Sequence, residues 1–216
     1  MKISKVPATQ GDAISITTSR SVWIDHCDLS SDPSAPQGQY GNLVNITHGS
    51  DYITITDNLF HDHSDAVNVG HSDGNGVEDK EKFHITFGGN YFKTVKSAIS
   101  FRFGTGHIMN GFFQTVENGI NTRMGADLLI ESSAFEGAGK AILSAGSSES
   151  GFATVNDVDL GNSTNLAPVG SMNIDSVPYP YDWYLKGSKA VKDIAVRGAG
   201  QTLRFRIPTM VEETEE

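Results

Sequence analysis

Six times along this chain a short apolar strand is followed by a break, a second strand of alternating apolar and polar residues, and a polar turn. Equivalent positions in the first strands are Ile14, Val44, Val67, Ile99, Ile120 and Ile142, which lie 30, 23, 32, 21 and 22 residues apart. In the second strands they are Ile24, Ile55, Phe87, Ile108, Ile130 and Val155. Alternation of this kind marks half-buried strands. A unit this short cannot bury its own apolar face, so successive units must stack. The short spacings set a rung of about 22 residues, and the long ones carry insertions at 31–40 and 72–82, rich in Gly, Pro, Ser, Asp and Lys. Hairpins would need closer spacing and more Asn-Gly turns. The expected architecture is therefore all-β: a single domain over 1–216, folded as one single-stranded right-handed parallel β-helix with rungs to about 161.

Beyond the rungs the pattern weakens. Residues 162–207 carry Pro168, Pro178 and Pro180 with Tyr179, Tyr181, Trp183 and Tyr184, and are expected to form an irregular segment and cap ending in a strand over 201–207. Such a cap covers the open end of a solenoid. Residues 208–216 read as a solvated acidic tail. The formal charge is −10 with no two adjacent Lys or Arg, which argues against nucleic-acid and anionic-membrane partners. The same sign works against a polyanionic substrate. No apolar run is long enough to span a bilayer. The single cysteine, Cys27, reads as a buried small hydrophobe. Met1 to Val6 reads as a strand, without the apolar core of a signal peptide. Oligomeric state leaves no mark in the sequence.

Several side chains invite a chemical reading. His61 and His63 stand at period two, on one side of a strand, where Asp65 would complete a weak zinc set. Asp25-His26 resembles a catalytic pair but reads as framework. A glycosidase carboxylate pair drawn from Asp57 with Asp62 or Asp65 stays open, because separation is invisible in sequence. Asn58 and Asn90 occupy equivalent turns and should form a short amide ladder.

Longer stretches carry a resemblance. They are Val22-Trp23-Ile24-Asp25-His26-Cys27-Asp28-Leu29, His61-Asp62-His63, Gly70-His71-Ser72-Asp73, Phe103-Gly104-Thr105-Gly106-His107-Ile108 and Gly119-Ile120-Asn121-Thr122-Arg123. Ser176-Val177-Pro178-Tyr179 and Gly200-Gln201-Thr202-Leu203 follow. In order and spacing they resemble polysaccharide lyase family 1, the pectate lyases. The resemblance implies a secreted β-helix that cleaves polygalacturonate by β-elimination. In that family calcium bridges carboxylates of protein and sugar, an arginine removes the C5 proton, and a second basic group holds the uronate.

Measured against that family, the chemistry looks depleted. The resemblance puts calcium ligands at Gln10, Asp12, Gly41 and Asn45, of which only Asp12 is acidic, so metal binding at Asp12 and Asn45 is expected to be weak. It puts Asp65 where the family has a lysine, and Ala98 nearest the base arginine. A like-charge contact at Asp65 would cost roughly 1–4 kcal/mol at 4 Å. Arg102 matches the substrate-binding arginine and is the one relic catalytic candidate; Arg123 is a second, weaker substrate contact. A His-His-Asn segment becomes Gly88-Gly89-Asn90. The leading expectation is thus a pseudoenzyme or engineered scaffold, catalytically inactive, binding pectic polysaccharide weakly and needing no cofactor. Two alternatives stand beside it. One is an active pectate or pectin lyase, calcium-dependent if it follows the pectate branch, with Arg102 or Lys96 as base. The other is a redesigned solenoid with a new ligand site at Gly88-Gly89.

Overall fold

The computed structural model describes residues 1–36, 38–173 and 181–203. Among them fourteen strands form one curled sheet, and every pairing between named strands is parallel. Each turn of the coil is a rung and each face of the coil a column.

In the first column β2 (Ile14–Thr17), β5 (Val44–Thr47), β7 (Leu59–Val69), β9 (Tyr91–Arg102), β11 (Phe112–Arg123) and β13 (Lys140–Leu143) stack in order. Their register pairs Ile14 with Val44, Val44 with Val67, Val67 with Ile99, Ile99 with Ile120 and Ile120 with Ile142. The unequal sequence spacings thus collapse into one vertical line. The second column contains β3 (Trp23–Asp25), β6 (Ile53–Thr56), β8 (His84–Gly88), β10 (Thr105–Met109), β12 (Asp127–Glu136) and β14 (Phe152–Asp159). It stacks Ile24, Ile55, Phe87, Ile108, Ile130 and Val155, the series the alternation predicts.

A third column was not evident from the repeat. It begins at β1 (Lys2–Ser4) and β4 (Asp28–Ser30) and continues through the opening residues of β7, β9 and β11 to the end of β12. Only about three residues per rung belong to it, and from β7 onward the chain bends into the first column without leaving the sheet. Inside it Phe60, Phe92, Phe113 and Phe135 stack with centroids 4.8, 4.9 and 4.4 Å apart. All four are buried in the main apolar core.

The corner between second and third columns is made by buried amides. Asn58 Oδ1 accepts from the Cys27 N–H at 2.8 Å, and its Nδ2 donates to the Ile24 carbonyl at 3.0 Å and to Asn90 Oδ1 at 3.1 Å. Asn90 repeats the motif, donating to the Ile55 carbonyl at 2.7 Å. The predicted ladder is present, and Cys27 is buried beside it.

Residues 165–170 continue the pairing across the last rung, with Asn165 bridged to Ile142 and Val169 to Ala153. The segment expected to be irregular also contains a helix, α1 (Ser188–Gly198), which lays Val191 and Ala195 on Tyr91, Phe112 and Ala134. Residues 201–203 carry no strand. The rest of the predicted 201–207 strand, the Ser176-Val177-Pro178-Tyr179 match, Pro180 and the 208–216 tail lie outside the described residues. Among the described residues no helix is long and apolar enough to cross a membrane.

Candidate functional site

The outward side chains of the first column form a continuous hydrogen-bonded line. At its start Asp12 Oδ1 accepts from the Asn42 N–H at 2.8 Å and Asn42 Nδ2 at 3.1 Å. Its Oδ2 accepts from Asn45 Nδ2 at 2.8 Å and Ser15 Oγ at 3.3 Å. Asn45 Oδ1 accepts from Asn68 Nδ2 at 2.9 Å, and Asn68 Oδ1 accepts from Arg102 Nη1 at 3.0 Å. Arg102 Nε then donates to Asp73 Oδ1 at 2.8 Å. That same oxygen accepts from Ser147 Oγ at 2.9 Å, which in turn receives Arg123 Nε at 2.6 Å. Arg123 also donates to the Gly146 carbonyl and sits 3.7 Å from Asp73 Oδ1.

Two guanidiniums therefore share one carboxylate. Asp73 is delivered by the 72–82 insertion, so the loop that disguises the repeat supplies the centre of this cluster. Partial burial would raise the Asp73 carboxyl. Bonds from Arg102 and Ser147, with the charges of Arg123 and Arg102, outweigh it and hold the pKa below the ordinary value. Burial, and then the neighbouring Arg102 charge, push the Arg123 guanidinium below its usual value, against the pull of Asp73. The result is local positive charge on a chain of net charge −10.

Asp12 and Asn45 do come together, but bonded to each other. Calcium takes six to eight oxygens at about 2.3–2.6 Å. Here both Asp12 oxygens already accept two donors each, and Asn45 turns its nitrogen, not its oxygen, toward Asp12. A hydrogen bond stands where a cation would need oxygens. The residues as arranged do not fit calcium.

Ala98 was expected nearest the position of a base, yet it is 0% exposed and belongs to the core. The register pairs Asp65 with Ser97, so Ser97 is the residue beside Asp65 that keeps some exposure. The His61 and His63 reading also changes. Asp62 has φ 52°, and that left-handed bend breaks the alternation on which it relied. His61 is held by Asp28 through Nε2 at 3.0 Å and by Asp62 through Nδ1 at 2.7 Å. His63 is buried with Nδ1 at 2.5 Å from Ser31 Oγ, and burial lowers its pKa. The zinc set with Asp65 is not formed.

A groove of about 470 Å³ is lined by Pro33, Pro36 and Tyr40 of the 31–40 insertion and by His63, Lys96 and Glu117. Lys96 is exposed and makes no ion pair among the described residues. It precedes Arg102 by six positions on β9, at most about 20 Å at the rise of a strand. The expected opening at Gly88-Gly89 is not empty either. A Cβ on Gly89 would fall 2.1 Å from Asp57 Oδ1, so the Asp57 carboxylate fills that space. Sequence reasoning gave no role to Asp73 or Ser147; Asp73 stood in a matched motif, whereas nothing local marked Ser147.

Solved structures with this outline are pectate lyases. One from Bacillus sp. N165, in complex with trigalacturonate, superposes with a TM-score of 0.78 at 25% identity, covering 92% of this chain and 65% of that one. Pectate lyase C from Erwinia chrysanthemi, studied at pH 9.5 with 30 mM Ca2+, gives a TM-score of 0.71 at 22% identity, covering 96% and 66%. The fold class is thus that of the β-helical lyases. The chain belongs to the pectate lyase family, whose profile, described as Pectate lyase, matches residues 4–203. Among curated relatives, pectate lyase A of Aspergillus niger is 48% identical over 204 residues, 94% of this chain and 61% of that protein. Pectate lyase B of Colletotrichum gloeosporioides is 47% identical over 208 residues, 95% and 62%. The chain thus spans about three fifths of the length of the curated relatives it matches.

These relatives overturn the leading expectation of a catalytically inactive scaffold. Proteins at 48% and 47% identity are named pectate lyases, and nothing in the comparisons supports a pseudoenzyme or an engineered scaffold. The physical case for inactivity also weakens. It counted Ala98, which is interior, and it did not count the paired arginines around Asp73.

Proposed function

We propose that this chain cleaves a pectic polysaccharide by β-elimination, with the Arg102–Asp73–Arg123 cluster as its chemical centre. The carrying observation is the shared carboxylate: two guanidiniums around Asp73 leave one positive charge over for a substrate uronate. Arg102, fixed by Asn68 and Asp73, serves as the anchor. Arg123, whose proton is held less tightly because of burial and the Arg102 charge, gives up that proton and serves as base in its neutral form, while Arg102 keeps its charge for the uronate. In the step the C5 proton passes to the base. The C5–H electron pair becomes the new ring double bond, and the glycosidic oxygen on the adjacent carbon leaves and takes a proton from solvent. No step is routed through calcium at Asp12 and Asn45.

Named pectate lyases at 45–48% identity support the reading, as does the trigalacturonate bound by the Bacillus protein. The test is ultraviolet absorbance of the unsaturated product from polygalacturonate and from methylated pectin, each with and without calcium. Turnover that falls about 100-fold or more in Arg102→Met and Arg123→Met is expected. Absence of product on both substrates, in a chain shown folded by circular dichroism, overturns the proposal.

A further inference from the structure

The turns that end the second column stack into a line of residues with left-handed φ: His26 48°, Asp57 49°, Gly89 66°, Asn110 53°, Ser132 47° and Asp157 49°. Three of them carry the C-terminal segment. Asn110 Oδ1 accepts from the Lys186 N–H at 2.8 Å, Ser132 Oγ from the Gly187 N–H at 2.6 Å, and Asp157 Oδ2 from the Ser188 N–H at 3.0 Å. The upper two differ. The Asp57 carboxylate and His26 Nε2 have no hydrogen-bond partner among the described residues.

We propose that Asp25, His26 and Asp57 form a binding site for a divalent transition-metal ion of the zinc class, separate from the arginine cluster. One ligand atom from each lies within 4.8 Å of the others. Zinc holds such donors at about 2.0–2.2 Å, so modest side-chain rotation closes the set. The imidazole selects zinc-like ions over calcium, which takes oxygen alone.

The surroundings are already arranged for this. Asp25 Oδ2 lies 2.7 Å from His26 Nδ1, so these two donors already face each other, and the ion would take the place of the proton between them. Asp25 Oδ1 accepts from Thr56 Oγ1 at 2.6 Å, and Thr56 Oγ1 accepts from Trp23 Nε1 at 2.6 Å. Glycine at 89 is what allows Asp57 its present pose, since a Cβ there would collide with its carboxylate. Grooves of about 280 Å³ beside Asp57 and about 430 Å³ beside Asp25 and His26 admit the ion and the waters that complete its shell. Lys186 rests over the Tyr184 ring at 4.9 Å, and its charge acts on Asp57 less than that of His26 does.

His61 supplies the contrast. It too has two aspartates, but they sit on opposite ring nitrogens, so one ion cannot meet the ring and both carboxylates. The probe is zinc alone, titrated calorimetrically into chelator-treated protein, with cobalt(II) as a second ion read by its visible absorption. One equivalent should bind. Asp57→Asn and His26→Asn should each weaken binding at least about tenfold, the latter keeping a residue that tolerates left-handed φ. His61→Gln, folded by circular dichroism, should bind as the parent does. Absence of zinc binding to the parent overturns the proposal, as does binding that survives both Asp57→Asn and His26→Asn or is lost in His61→Gln.

Discussion

The outer face of the first column and the upper end of the turn column are built from the same kinds of residue and end in opposite states. On the face, Asp12, Asn45, Asn68, Arg102 and Asp73 hand hydrogen bonds along a chain in which each carboxylate has donors. At the turn, Asp57 is partly buried and without a donor among the described residues, and burial raises its pKa against the pull of His26, with the nearby Asp25 charge adding to the rise. Desolvation penalises an ionised carboxylate unless something compensates. A filled line needs nothing further, whereas an unfilled one has room for a ligand.

That contrast breaks most readily at the arginines. Arg123→Met should lower turnover by about 100-fold, roughly 2.7 kcal/mol of barrier, measured by product absorbance, with the melting curve little changed. Next in size is the buried amide adjacent to Asp57. Asn58→Ala strands the Cys27 N–H, the Ile24 carbonyl and Asn90, and should cost about 2–3 kcal/mol in urea unfolding. A result near zero would mean the corner is not held by amides.

The filled line can also be converted into an unfilled one. Asn45→Asp removes a donor to Asp12 and sets two carboxylates together, for a loss of about 1–2 kcal/mol. Calcium should restore stability in that variant and leave the parent's melting temperature unchanged. The smallest effect belongs to Asp57→Asn without metal. Because the folded-state pKa of Asp57 is raised, its stabilising contribution exists only while it is protonated and is lost as pH rises through that pKa. The variant should therefore melt slightly above the parent at neutral pH, by about 0.5 kcal/mol or less, and the gap should close in acid. Asp73 behaves in the opposite sense. Its lowered pKa gives stability that is present above the ordinary carboxylate value and lost as pH falls through the folded one.

Much of the coil was legible in advance. Apolar residues at equivalent offsets must stack if rungs are to bury anything, so the Ile14-to-Ile142 and Ile24-to-Val155 lines followed from alternation alone. The Asn58 and Asn90 ladder followed from equivalent turns. The site was far less legible. Arg102 and Arg123 were visible as outward cations, but their meeting at Asp73 was not, because an insertion carries that carboxylate across rungs. Ala98 was placed by the family resemblance alone, and only the register shows it inside the core with Ser97 beside Asp65.

The sequence alone therefore determined the interior lines of the first and second columns and that the repeats stack as parallel rungs, because burial periodicity is a local property of each strand and a recurring unit must stack on its own kind. Tertiary structure decided which polar groups meet: Asp57 with Asp25 and His26 across one rung, and Ser147 with Asp73 across 74 residues. Those meetings depend on left-handed bends and insertion lengths, which set the vertical alignment of turns and leave no periodic trace along the chain.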